Sequence, residues 1–185
     1  MTLTEMDRKV LALIEELNPK SEYLTDDPDI AAKKNYVTNQ IMFELCRMKK
    51  IGKYAEFAVN EGDLLTFDDL AQEVGNEIYQ LNLVSGVDYA LKANGTVIKV
   101  LETGTLEVDC FVYPETITEA TKGSYEFELS QDVLEIMPYG IAADLLKSDV
   151  STEYGAVYAN RYETMLQRLD PRNALTTIYI EGGVL

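Results

Sequence analysis

The spacing of apolar residues changes twice along this chain, and those two changes limit its architecture more than any other feature. Up to about Lys50 the apolar residues recur at helical intervals, from Lys53 they alternate, and from Ser130 the helical interval returns. A period of 3.6 and a period of 2 cannot share one element. The chain therefore reads as an α+β fold: a helical framework of two N-terminal and two C-terminal helices, an antiparallel β insertion between them, and an extended C-terminal arm. The expected segments are residues 1–52 for the first helices, 53–129 for the insertion, 130–170 for the last helices and 171–185 for the arm, as one structural unit plus its insertion.

Thr4 is the expected first cap, with Asp7 three residues on, and Val10, Leu13, Ile14 and Leu17 carry the stripe until Asn18-Pro19 ends it. Asp27-Pro28 is a stronger start. Asp accepts from the free N–H groups of a helix end, and Pro has the φ of a first helical residue. The second helix should reach about Lys50. Ile30, Val37, Ile41, Leu45 and Met48 form its core-facing stripe, while Ala32, Tyr36, Phe43 and Cys46 fall on the other side. That second side needs cover from the fold or from a neighbouring subunit, which makes Ala32, Tyr36 and Phe43 candidates for a subunit interface.

In the insertion, Tyr54, Glu56, Ala58 and Asn60 alternate with Ala55, Phe57 and Val59, as in a half-buried strand. Residues 77–84, 88–92, 96–101 and 105–113 are further strands, with Asn94-Gly95 as a two-residue hairpin turn. The short connections imply antiparallel pairing. Ser130 then caps a helix through Val133, Leu134 and Met137, which Pro138 kinks or restarts before Ile141, Ala142, Leu145 and Leu146. Ser151 starts the last helix. Its stripe is Tyr154, Tyr158, Tyr162, Met165, Leu166 and Leu169, with Gly155 and Ala159 small enough for close packing, and Asp170-Pro171 ends it. Tyr154, Tyr158 and Tyr162 at helical spacing are more often core than interface, but tyrosine combines a large contact area with a polar tip and is favoured at interfaces, so Tyr154 and Tyr158 also join the interface candidates.

The stretch from Asn173 to Ile180 holds no charge and is rich in β-branched and aromatic residues. It reads as a strand without a nearby hairpin partner. Addition to another chain is the preferred reading, beside pairing with its own sheet or remaining a disordered tail. Leu175, Thr177, Ile178, Tyr179, Ile180, Val184 and Leu185 are the residues that would make such a contact.

Catalytic chemistry finds little support. There is no histidine, the commonest general base and metal ligand near neutral pH. Cys46 and Cys110 are far apart without CxxC spacing and read as buried hydrophobes. The glycines match no nucleotide-binding fingerprint. Asp26, Asp27 and Asp29 read as a helix cap with favourable dipole charges, and Asp68-Asp69 as a solvated turn; neither has calcium-loop spacing. No catalytic residue, cofactor or metal is expected. No window approaches the roughly 20 apolar residues of a membrane span, and the start lacks a signal-peptide layout, so a cytosolic protein is expected.

The net charge is −16, from 16 basic and 32 acidic residues, and most of it falls in the insertion. Affinity for a phosphate backbone comes from Lys and Arg, so nucleic-acid binding is disfavoured. A carboxylate-based cell-wall hydrolase is the alternative from another class, since two carboxylates at a fixed separation can serve as an acid/base pair without histidine.

Three segments together carry a family resemblance: the two N-terminal helices, KKIGKYAEFAV leading into the insertion, and LSQDVLEIMPYGIAADLLKSDVSTEYGAVYANRYETMLQRLDPR. The last block resembles the helix pair of the head-to-tail connector (adaptor) proteins of tailed bacteriophages. The resemblance implies a non-enzymatic virion protein at the head-tail junction, assembled in the host cytoplasm. It would form a ring of about twelve copies beneath the portal. Its arm, Asn173 to Leu185 with the contact residues named above, would engage the portal ring, and its far side would meet the next tail-completion or stopper protein. DNA would pass through without specific binding, a negative surface repelling phosphates. Within structural proteins the alternative is another tail-completion or baseplate component.

Overall fold

The computed structural model describes residues 1–148 and 153–169. Five helices and six strands follow in the order α1 (Leu3–Leu13), α2 (Pro28–Met48), β1 (Ile51–Val59), β2 (Leu64–Thr66), α3 (Phe67–Val74), β3 (Ile78–Ser85), β4 (Tyr89–Lys92), β5 (Val97–Val100), β6 (Gly104–Val112), α4 (Gln131–Leu145) and α5 (Tyr154–Leu169). The chain is an α+β fold with four framework helices around an antiparallel insertion. Residues 171–185, the expected arm, lie outside the described residues, as does Ser151.

The strongest local signal holds. Asp27 caps α2, its carboxylate accepting from the backbone N–H of Asp29 and Ile30 at 2.8 and 3.2 Å, with Pro28 opening the helix. The first cap is Thr2, not Thr4. Thr2 and Glu5 satisfy each other's backbone N–H in a capping box. Thr4 instead turns its hydroxyl to the Gly123 carbonyl at 3.0 Å. The helix also ends at Leu13, well before Asn18-Pro19, because Glu15 takes a left-handed φ of 63° that breaks the ladder.

Helix α4 is the centre of the bundle, packing against α1, α2 and α5. Its Val133, Met137, Ile141 and Ala142 are fully buried, and Pro138 neither ends nor restarts it. Val37, Ile41, Met42 and Leu45 of α2 meet that core, as do Met6, Val10 and Leu11 of α1. The opposite side of α2 divides. Cys46 belongs to the core, its thiol donating to the Val112 carbonyl at 3.7 Å, because β6 ends against the helix there. Phe43 is half-buried with its ring edge-on to Tyr113, whereas Ala32 and Tyr36 stay exposed. The fold thus covers only the C-terminal half of that side.

All six strands pair antiparallel, in two three-stranded sheets ordered β1-β6-β3 and β2-β5-β4. Val59, Leu106, Val108 and Val112 of the first sheet meet Ile98 and Val100 of the second in a separate core, which Leu70 of α3 closes. Helix α3 replaces the expected solvated turn at Asp68-Asp69. Thr66 caps it and Asp69 returns the hydrogen bond. The β4–β5 hairpin exists, but its loop has four residues, since Lys92 pairs with Val97. Asn94-Gly95 is therefore not a two-residue turn; Ala93 and Asn94 both take left-handed φ, 48° and 58°.

The sheet insertion also ends earlier than Leu129. Ile117, Phe127 and Leu129 are buried in the helical core, and the Asn39 side chain pairs with both the carbonyl and the N–H of Ile117 at 2.8 Å. The segment after Val112 is thus a strap on the bundle.

Candidate interaction surfaces

Helices α4 and α5 run antiparallel, with Gly140 against Tyr162 and Leu146 against Gly155. This places the start of α5 beside the end of α1, where the Tyr158 hydroxyl donates to the Leu13 carbonyl. That carbonyl belongs to the last turn of α1 and lacks a partner further along the helix. The ends of α1 and α4 and the starts of α2 and α5 therefore meet around an open groove of about 700 Å³. Its floor is apolar: Leu13, Ile14, Ile30, Leu146, Tyr154 and Tyr158. Its rim is acidic, with Glu15, Glu16, Asp27 and Asp29 against a single cation among the described residues, Lys33.

The interface candidates fall in three places. Tyr154, 57% exposed, and Tyr158, half-buried, come together in this groove. Ala32 lines a second groove, and Tyr36 stands 72% exposed on the same stretch of α2. Phe43 is held apart from them under Tyr113, in a stack that continues to Tyr79 at 4.7 Å. Residues 175, 177–180, 184 and 185, the expected arm contacts, lie outside the described residues.

The second groove, about 940 Å³, holds what the sequence did not signal: an ion pair between Asp7 and Lys34 at 2.6 Å, with the two residues only 7% and 8% exposed. Lys34 also donates to the Tyr23 carbonyl at 3.4 Å. Burial pushes the Asp7 carboxyl above its ordinary range, and the pull of Lys34 does not fully offset it. A second acidic convergence lies between α2, α4 and α5. Burial raises the Glu44 carboxyl, and the like charges of Glu163 and Asp144 add to the rise.

At the far end of α2 the charge reverses. Residues 47–53 hold Arg47, Lys49, Lys50 and Lys53 and no carboxylate. Lys49 pairs with Asp132 at 3.3 Å and Lys53 with Glu128 at 3.0 Å. Arg47 and Lys50 lie over the rings of Tyr113 and Phe111 at 5.6 and 4.4 Å, and neither has a carboxylate partner among the described residues. An acidic apolar groove and a cationic corner thus sit at opposite ends of one helix.

Both cysteines are buried. Burial pushes the Cys46 thiol up to about 11 and raises that of Cys110, which leaves little thiolate at neutral pH. Neither should react with a maleimide at neutral pH in the folded protein, while both should react in denaturant. Stoichiometric labelling of the native chain, counted by mass, would contradict this burial.

Among the described residues no three His, Cys, Asp or Glu side chains are grouped so as to hold a metal ion, and no helix is long and apolar enough to cross a membrane. No protein-family model matches the chain, and no curated protein matches it.

Proposed function

We propose that this protein is a head-to-tail adaptor of a tailed phage, a structural component that assembles as a ring on the portal and joins the DNA-filled head to the tail. One observation carries the reading. The block whose pattern resembles the connector proteins supplies the central helix of the bundle, with Met137, Ile141 and Ala142 fully buried against α1, α2 and α5. The resembling residues are thus framework residues that fix the shape of a building block.

Two further features fit the role. The antiparallel course of α4 and α5 brings Leu169, the last described residue, to the bundle end where Lys49 meets Asp132 and the sheet insertion begins. The net charge of −16 keeps a DNA-conducting ring from adhering to its cargo. In this reading residues 173–185 engage the portal, the insertion points toward a neighbour or the next tail component, and DNA makes no specific contact. Titrating the protein into its cognate portal ring and following particle mass should show saturation at one copy per portal subunit. A ring mass that never rises would overturn the proposal.

A further inference from the structure

We infer that the acidic groove and the cationic corner are the two halves of one contact between copies of this chain. The corner of one copy, Arg47 and Lys50, would seat in the groove of the next, among Glu15, Glu16 and Asp29. The inference rests on the ring reading only for closure of the assembly; the contact itself follows from the surfaces.

Charge complementarity selects the occupant. The chain is strongly acidic, so a groove with four carboxylates on its rim and one lysine requires a basic partner. The chain's own most basic stretch is residues 47–53. Within it, Arg47 and Lys50 are exposed, held over aromatic rings and without a carboxylate partner among the described residues. Their methylene stems and the rings beneath them also offer apolar surface to the floor of Leu13, Ile30 and Tyr154.

Geometry then excludes a self-contained solution. Helix α2 has 21 residues, which separates its ends by about 30 Å. The corner cannot reach the groove of its own chain. A contact between two different patches is head-to-tail, and it closes into a ring or continues as a filament according to the rotation between copies.

A charge exchange tests this without any portal, so the outcome is independent of whether the portal reading stands. The groove variant is Glu15→Lys with Glu16→Lys, and the corner variant is Arg47→Glu with Lys50→Glu. All four positions are exposed, so both variants should keep their fold, as circular dichroism would verify. Sedimentation of the wild-type chain should show concentration-dependent association. Either variant alone should associate about tenfold more weakly or less, through like-charge contact. Mixed in equal amounts, they should recover association, because each then meets an opposite charge at both of its patches.

The groove variant moves the net charge of −16 toward zero. A gain in its self-association would show that overall repulsion governs assembly, and would sink the inference. Failure of the mixture to exceed either variant, or a wild-type chain that stays monomeric at high concentration, would sink it as well. Loss of duplex-DNA binding by the corner variant with self-association intact would reassign the corner to nucleic acid.

Discussion

Replacing Lys34 with alanine should destabilise the protein by about 3–5 kcal/mol at neutral pH, because Asp7 would be left buried without its counter-ion. The pair joins α1 to α2 at 2.6 Å, with both residues buried, so water cannot replace the lost partner. Substituting both residues, Asp7→Leu with Lys34→Met, should recover most of that loss. Desolvation of two charges offsets much of their mutual attraction, as the raised Asp7 carboxyl already indicates.

The pH dependence has a defined sign. Asp7 holds its proton to higher pH in the folded chain than in the unfolded one. Its contribution is therefore fully present below the ordinary carboxylate pKa and is lost as pH rises through the raised folded value. The damage from Lys34→Ala should shrink over the same range on acidification, since a protonated Asp7 needs no counter-ion. Urea unfolding of the three chains at several pH values checks both statements. A Lys34→Ala effect below about 1 kcal/mol, or one that grows on acidification, would contradict them.

Gly140→Val should be the other large effect, about 3 kcal/mol, at the upper end of what overpacking costs. A Cβ at Gly140 would stand 2.7 Å from the Tyr162 ring and 3.0 Å from two more of its atoms. Tyr162 is itself buried between α4 and α5 and has no open side to move toward. Gly140→Ala should be milder, because the clash is partly offset by the roughly 1 kcal/mol that a helix gains from alanine over glycine. Adding Tyr162→Leu to Gly140→Val should restore part of the stability. If the valine variant melts with the wild type, the close approach of α4 to α5 is wrong.

That contact also shows where sequence reasoning stopped. Gly155 and Ala159 were the expected points of close helix packing because they lie within the aromatic stripe of α5. A Cβ at Gly155 would meet Leu146 at an ordinary 3.4 Å, so the tight approach is made by Gly140 on the partner helix. A helical pattern tells which residues share a face. Which glycine receives a ring depends on the register between two helices, and no local signal encodes that.

The same distinction runs through the fold. The Asp27-Pro28 start of α2 was legible because the chemistry that makes it is contained in neighbouring residues. Helix α3 was missed although its signs are local: a Thr66–Asp69 capping box, apolar Phe67, Leu70, Ala71 and Val74 at helical spacing, and a left-handed Gly75 at its end, packed into two turns between strands. Five of the six strands followed from alternation; β2, three residues long, was not expected, and the division into two sheets depends on pairing β1 with β6, about fifty residues away. Phe43 and Tyr36 share a face of α2 and were read alike; one is covered by Tyr113 and the other is not, a difference set by where β6 ends. Tyr154 and Tyr158 share a face of α5 in the sequence, whereas their acidic rim emerges only when four helix ends are brought together; the cationic corner stands in the sequence as residues 47–53 and went unread.

The adaptor reading is tested most directly by the particle mass of the cognate portal ring mixed with the full chain, compared with a chain ending at Arg172. The account predicts a stoichiometric gain in mass with the full chain and none with the shortened one. Equal binding by both would contradict the role of residues 173–185, and binding by neither would contradict the adaptor itself.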